Sequence, residues 1–466
     1  MNRDNITANV IDLVRAASPG AEAEVVVCST DRALTRFANS FIHQNVAEAS
    51  TAVRLRLHAH GRTAAGATTA TNSDGLRALV ERTLAAVRLS PTDPLWPGLT
   101  TPAPVAPTSV DEETANADPA ARARRVAAFV AAAGGLETAG YCSTVWEQVW
   151  FANSAGQTAS AQLAQAAMDG IARAGKLDGV ARLATARLRD LDGAVLGARA
   201  AAKARAAVDP VQLPPGRYEV VLEPTAVIDL IDHLASYGFN AKAVAERRSF
   251  VELDRAQFDP AINLVDDPGE PRGSGMAFDV EGTPKRRLSL IEAGVSRALT
   301  HDRRSAAQAG AESTGHALAG GGSWGAIATN LHLLPGSTGS DPGWDNGASP
   351  SEVDGPAADS AVADLVAQVG RGLLVTDNWY TRVLDPRTLV VTGLTRNGVW
   401  LIEDGKITRP VQNMRFTQSY PQALAAGAVL GVGAQSVALP AEWDVMICRA
   451  PALRLASWNY TGNASG

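Results

Sequence analysis

The sequence predicts an α+β protein of two domains, an N-terminal sheet-plus-helices domain over residues 1–209 and a C-terminal β-rich, barrel-like domain over 216–466. Three observations carry this reading. Helical periods and long strand-like runs alternate as far as residue 207. Two prolines and a glycine then interrupt the chain between Asp209-Pro210 and Pro214-Pro215-Gly216, where they stop a helix and turn the backbone. Beyond Gly216 the strand-like runs are mostly short, and glycines and prolines separate them. A chain of 466 residues is long enough to bury two cores.

The elements follow in order. Residues 3–17 place Ile6, Val10, Leu13 and Val14 on one helical face, and Pro19-Gly20 ends that helix. AEVVVCST, LTRFANSF and STAVRLRLHAH alternate or run apolar, as strands do, and GRTAAG after them reads as a solvent-side turn. Leu76, Leu79, Val80, Leu84 and Val87 mark a second amphipathic helix over 74–89. The Pro/Thr-rich stretch 91–107 reads as a long loop, because helical periodicity resumes at 119–133. Strand-like runs follow at 136–152, 157–170 and 174–188, then an Ala-rich helix at 190–207. In the second domain the strand RYEVVLEP precedes a helix at 224–236, and Gly336 to Gly355 is rich in Gly, Ser, Asp and Pro, as in a mobile loop or insertion.

Bulk properties exclude several function classes. A net charge of −6 with 19% charged residues argues against a nucleic-acid binder that works by neutralising phosphates. The three cysteines, Cys28, Cys142 and Cys448, are scattered without CxxC, so neither a disulfide framework nor a zinc ribbon is expected, and a reducing cytoplasm suits them. The N-terminal stretch lacks the apolar core of a signal peptide, and no run approaches the roughly 18 apolar residues of a membrane span. Sequons at Asn5, Asn459 and Asn463 carry no expectation of glycosylation without secretion.

Several motifs invite a chemical reading. GGSWG, Gly321 to Gly325, matches the G-x-S-x-G pattern that thrusts a serine nucleophile out at a strand-to-helix turn. Its context differs: polar residues precede it, AIATNLHLL reads as a following strand, and His332 is the only histidine downstream. Ser323 as the nucleophile of an independent serine hydrolase is therefore the alternative, and a glycine-rich turn the leading expectation. His58 and His60, at i and i+2 on one strand, could share a face, but no third ligand of the right type lies nearby. GSG at 273–275 and GVG at 431–433 lack the full dinucleotide fingerprint and its βαβ setting. Lys285-Arg286-Arg287 reads as a solvated rim, available to meet a partner.

The order and spacing of longer blocks are more specific. FDVEGTPKRRLSLIEAGVSRALTHDRRSAAQAGAESTGHAL (278–318) and GLLVTDNWYTRVLDPRTLVVTGLTRNGVWLIEDGKITRPV (372–411) resemble the C-terminal domain of the TldD/TldE (PmbA) family, peptidases that work as paired subunits. The first half resembles that family too, over residues 36–91 and in WFANSAGQ at 150–157, as do VVLEP at 220–224, RRSF at 247–250 and LVDDP at 264–268 on the TldE side. The resemblance implies that the catalytic subunit carries HExxxH on a helix at the start of the C-terminal domain. Here that stretch is EPTAVIDLIDHLASYGFNAKAVAERRSF (223–250), with Asp232, His233 and Tyr237 standing ungapped where His, Glu and His belong. His233 is read as a surface or interface residue. The catalytic subunit also contributes a late cysteine; Cys448 lies late, and is read as a buried small hydrophobe.

The resemblance thus implies a metal-free, TldE-like subunit with no catalytic or metal-binding residue of its own, and zinc in a TldD-like partner. Ser313, Thr314, Gly315, Gly372, Thr392, Gly393 and Gly398 are the residues expected to face a peptide or the partner. One departure is TGLTRNGVWLIEDG (392–405), which is shorter than the family pattern and lacks its Phe-Ser. Such a divergent copy could act on a peptide-derived natural-product intermediate. The runs 372–377, 387–393 and 398–405 are apolar and strand-like, so as exposed edges they would make the isolated chain pair with itself as a two-fold dimer. A homo-oligomeric peptide-binding scaffold without chemistry is the third reading.

Overall fold

The computed structural model describes residues 3–269, 275–336, 355–357, 360–440 and 447–464. The 273–274 part of the GSG motif and most of the 336–355 loop lie outside them. The protein is α+β. The first sheet is antiparallel and six-stranded, built from β1 (Glu22–Ala38), β2 (Phe41–Ala59), β3 (Arg62–Thr68), β4 (Glu137–Asn153), β5 (Thr158–Ala174) and β6 (Leu177–Thr185) in the order β3-β2-β1-β4-β5-β6.

Its strands are longer than the sequence reading allowed. LTRFANSF is not a separate strand, because β1 runs through it to a two-residue turn at Asn39 and Ser40, both left-handed (φ 49° and 63°). Polar residues interrupt the apolar run because the outer half of this hairpin leaves the core: residues 43–50 of β2 are exposed. GRTAAG is likewise corrected from turn to strand. Only His60 and Gly61 turn, and small residues at 64–67 left β3 without a hydrophobic signature.

Helices α1 (Arg3–Ala17) and α2 (Ser73–Leu89) cover one face of the sheet. Val25, Val27, Val53, Leu55 and Leu57 point into that core with Val10, Leu76 and Leu79. The i, i+2 alternation sends Glu24, Arg54 and Arg56 to the opposite face. A second core lies under α3 (Pro119–Ala132) and α4 (Gly193–Ala206), whose axes meet through glycine. A Cβ on Gly193 would sit 2.0 Å from the Arg125 carbonyl, and one on Gly197 2.2 Å from that of Phe129. Gly197→Ala is therefore expected to lower the melting temperature despite the roughly 1 kcal/mol that alanine gains over glycine in a helix; a stabilised variant in a thermal melt would refute this close approach.

The second half centres on a closed barrel of β7 (Gly216–Leu222), β12 (Arg371–Asp385), β13 (Val390–Glu403), β15 (Met414–Ser419) and β19 (Leu453–Asn463). Their order is β12-β7-β19-β15-β13, and β13 returns to pair with β12. This corrects the expected unpaired edges: 372–375 lie between β7 and β13, 390–394 between β12 and β15, and 400–403 between β12 and the hairpin strand β14 (Lys406–Pro410). Closure removes the edges that apolar strands would otherwise offer to a second copy. Beside the barrel, β8 (Leu264–Asp266), β9 (Leu288–Glu292), β10 (Val295–Ser296), β11 (Asn330–Leu333), β17 (Val437–Leu439) and β18 (Ile447–Ala450) form a second sheet, while β16 (Val429–Val432) pairs with β19. Helix α5 (Pro224–His233) buries Val227, Leu230 and Ile231 in the core shared by barrel and sheet. Among the described residues no helix is long and apolar enough to cross a membrane.

Candidate functional site

Pro224 starts α5 at the position where its missing N–H costs nothing, and after His233 the helix widens into one π turn over Leu234–Gly238. The π turn helps to place His233 and Tyr237 face to face, ring centres 5.9 Å apart, with Tyr420 edge-on to His233 at 5.6 Å. His233 Nδ1 donates to the Asp229 carbonyl at 2.8 Å, one helical turn back. The Asp229 carboxylate accepts the Tyr420 hydroxyl at 2.6 Å on one oxygen and the Thr381 hydroxyl at 2.8 Å on the other. His233 is partly buried, its side chain 14% exposed, and is held by neighbouring side chains rather than standing free on the surface. It belongs to a half-buried Asp-His-Tyr cluster.

This arrangement does not fit a zinc ion. The carboxylate oxygens are already engaged by hydroxyls, one imidazole is available, and Tyr237 occupies the next turn. Among the described residues no three His, Cys, Asp or Glu side chains gather as a ligand set. Cys448 lies buried in β18, and burial, reinforced by the charges of Asp232 and Asp266, raises its thiol well above the usual range.

A substantial cavity lies elsewhere. A cleft of about 1140 Å³ separates the charged face of the first sheet from the second half, where α6 (Ala241–Ala245), α7 (Arg303–Ala309) and the 317–322 loop form the opposite wall. Arg56 ties the two sides. Its Nε donates to Glu24 at 2.5 Å and its Nη2 to Glu281 at 2.9 Å. Burial pushes the Glu24 carboxyl up to about 7 against the pull of Arg56. A second tie is bidentate: Arg304 grips Asp93 at 2.8 and 2.7 Å, and its hydrogen bonds hold that carboxyl down at about 2.

Behind the cleft wall sits a fully buried polar core. One oxygen of Asp266 accepts the backbone N–H groups of Thr329 and Asn330, both at 2.7 Å, and the other lies 3.1 Å from His316 Nε2. Lys285 reaches Thr329 and is buried, so only Arg286 and Arg287 of the expected solvated rim are exposed. Burial alone would raise the Asp266 carboxyl; His316, Lys285 and the Asn330 N–H outweigh it and hold the group well below the usual carboxylate range. Asp279 accepts N–H groups from Glu281, Thr283 and Ala317, and burial with the nearby Glu281 charge pushes its carboxyl upward.

The sequence-selected residues fall into two groups. Thr314 bridges His301 N–H (2.7 Å) and His316 Nδ1 (2.8 Å), Ser313 donates to the His301 carbonyl, and Gly315 is left-handed at φ 76°, so these three anchor the loop that enters the cleft wall at Ala317. The others lie in the barrel. A Cβ on Gly372 would sit 2.6 Å from the Glu219 carbonyl, one on Gly393 2.7 Å from the Phe416 ring, and one on Gly398 1.9 Å from Trp400. Thr392 donates to the Phe416 carbonyl. Ser323 stands in an exposed turn, while His332 is buried in β11, its Nε2 3.1 Å from the Ser436 hydroxyl. His58 stacks on Trp96 and contacts Thr63, whereas His60 lies in the hairpin turn, so the two do not share a strand face. Gly431 and Gly433 pack against β19 and its approach.

Glu24, Arg56, Glu281 and the Asp266–His316 core escaped the sequence reading. One signal was present: VRLRL in β2 alternates arginine with core residues, which marks a charged second face.

Residues 215–462 match the model of the PmbA/TldA metallopeptidase C-terminal domain. The fold is similar to that of TldE from Thermococcus kodakarensis, with a TM-score of 0.83 at 17% identity over 98% of this chain and 100% of that one. It is also similar to a Thermotoga maritima protein described as a modulator of DNA gyrase, with a TM-score of 0.81 at 17% identity over 98% and 100% of the two chains. A Bacteroides thetaiotaomicron protein of the same description gives 0.79 at 17% identity over 98% of each chain. No curated protein matches the sequence.

Proposed function

The chain belongs to the TldD/TldE (PmbA) metallopeptidase family, and on that premise we propose that it is the metal-free, TldE-like subunit of a heterodimeric zinc peptidase. The observation that carries this is the α5 cluster. Where the resemblance places the zinc helix, one histidine is held by Asp229 and stacked on Tyr237, and the Asp229 carboxylate is engaged by two hydroxyls. A TldD-like partner supplies zinc and the catalytic base. This chain completes the substrate chamber and stabilises the partner, with residues 1–209 and 216–466 as its two domains, in the cytoplasm. Substrates are peptides or peptide-derived natural-product intermediates. The residues at 313–315, 372, 392–393 and 398 act by holding the loop and barrel walls that face peptide or partner.

The serine-hydrolase alternative is disfavoured by the same geometry, since His332 contacts Ser436 and Ser323 lies in a turn. A reactive-serine probe is expected to leave the wild type and Ser323→Ala equally unlabelled; labelling that disappears in the variant would reverse the order of the two readings. Light scattering on a mixture tests the pairing. A TldD-like chain is expected to co-elute with this one as a heterodimer, whereas a homo-oligomer that ignores it would favour a scaffold without chemistry.

A further inference from the structure

A second, smaller cavity opens at the start of α5, at the other end of that helix from His233. Its volume is about 70 Å³. Arg182 of β6 and Arg199 and Lys203 of α4 line it from the first half, Glu223 and Thr225 from the second, and the remaining lining is apolar. Positions 199 and 203 are one helical turn apart, so α4 brings two cations to one face, an arrangement that repels unless anions meet it. Lys203 has its anion: Nζ lies 2.5 Å from Glu223 Oε2. Arg182 is engaged on both sides, by Asp169 and Asp377, at 2.8 Å each. Arg199 is left over. Its Nε is buried without a hydrogen-bond partner, and among the described residues the one carboxylate lining the cavity is already taken by Lys203. A buried, charged donor without an acceptor is costly to keep.

The start of α5 adds further donors. Its N-cap residue, Glu223, spends its carboxylate on Lys203 and makes no capping hydrogen bond, so the first-turn N–H groups of this 10-residue helix have no side-chain cap. We propose that the cavity binds a small oxyanion of the size and charge of inorganic phosphate, held between the Arg199 guanidinium on one side and Thr225 with the N-terminus of α5 on the other. The volume decides the ligand class. It is several times the roughly 10–15 Å³ that one water needs, and far below the roughly 300 Å³ at which sites for drug-sized ligands begin. Several acceptor oxygens also let one ion meet donors from two elements at once, which a halide does less well. Because α4 belongs to the first half and α5 to the second, the bound ion is a clasp between them, separate from the ties made by Arg56 and Arg304.

Calorimetric titration and thermal melts of the full chain test this, with inorganic phosphate as the probe and chloride at equal ionic strength as the reference. Phosphate is expected to bind one to one and to raise the melting temperature by about 2 °C or more beyond chloride. Arg199→Gln removes the charge from a half-buried position and should weaken phosphate at least about tenfold. Thr225→Val keeps the side chain's shape and should weaken it about threefold or more. Arg124→Gln alters an exposed arginine of α3 outside the cavity and should leave the affinity within about twofold of wild type. Absence of a phosphate-specific effect at about 10 mM, wild-type affinity in both Arg199→Gln and Thr225→Val, or an equal loss in Arg124→Gln would each overturn the proposal.

Discussion

Asp266→Ala is expected to lower the stability of the C-terminal half by about 3–5 kcal/mol, a fall in melting temperature on the order of 10 °C. The side chain is completely buried and serves two backbone N–H groups, His316 and the Lys285 charge at once. Alanine leaves the two N–H groups of Thr329 and Asn330 without an acceptor and Lys285 without its strongest counter-charge. The pH dependence follows from the direction of the shift. The folded-state carboxyl lies below its unfolded value, so its contribution is fully present above roughly pH 4 and is lost as pH falls through the folded value. Melts of wild type and variant should therefore differ by a constant amount from pH 5 to 8 and converge only in stronger acid. A variant within about 2 °C of wild type at pH 7 would show that the buried core does not hold this half together.

Arg56→Ala should be comparably damaging, by about 3–5 kcal/mol, because it leaves Glu24 and Glu281 facing each other in a buried site without the guanidinium that bridges them. Arg56→Lys should not restore the loss. One ammonium is a point charge and cannot reproduce a fork whose Nε meets one carboxylate and whose Nη2 meets another. The sign here is opposite to that of Asp266. Glu24 is already raised to about 7 in the presence of Arg56, and removing the cation raises it further. A raised carboxyl has its stability at low pH and loses it as pH climbs through the folded value, so the deficit should be smaller at pH 5.5 than at pH 8. Since Glu24 and Glu281 lie on opposite sides of the cleft, the variant should also become sensitive to protease between the two halves. A deficit that does not vary with pH would mean that the three charges do not form one unit.

The sequence revealed these features unevenly. The amphipathic helices at 3–17, 73–89, 119–132 and 193–206 were legible because their core faces repeat at helical spacing. The closed barrel was legible as a class but not as a ring, since a strand's own residues do not say whether its second edge is paired; β12 and β13 looked like open edges for that reason. Strand β3 was missed because alanine and glycine give no apolar alternation. At the site, the missing HExxxH could be read directly, but the cluster that takes its place could not: Asp229 meets Tyr420 across 191 positions and Thr381 across 152. The charges of Arg56 and Glu281 are 225 positions apart. Lys285 looked solvated beside two exposed arginines because local sequence cannot show that its side chain points inward to Thr329.

Peptidase activity measured with and without a partner tests the central claim most directly. The purified chain should contain less than about a tenth of an equivalent of zinc, because the α5 cluster offers one imidazole rather than the three protein ligands of a catalytic site, and it should cleave no peptide. Adding a zinc-loaded, HExxxH-containing TldD-like chain should create an activity that a chelator removes and that exceeds the activity of that chain alone. Stoichiometric zinc in this chain, with chelator-sensitive cleavage in the absence of any partner, would contradict the account.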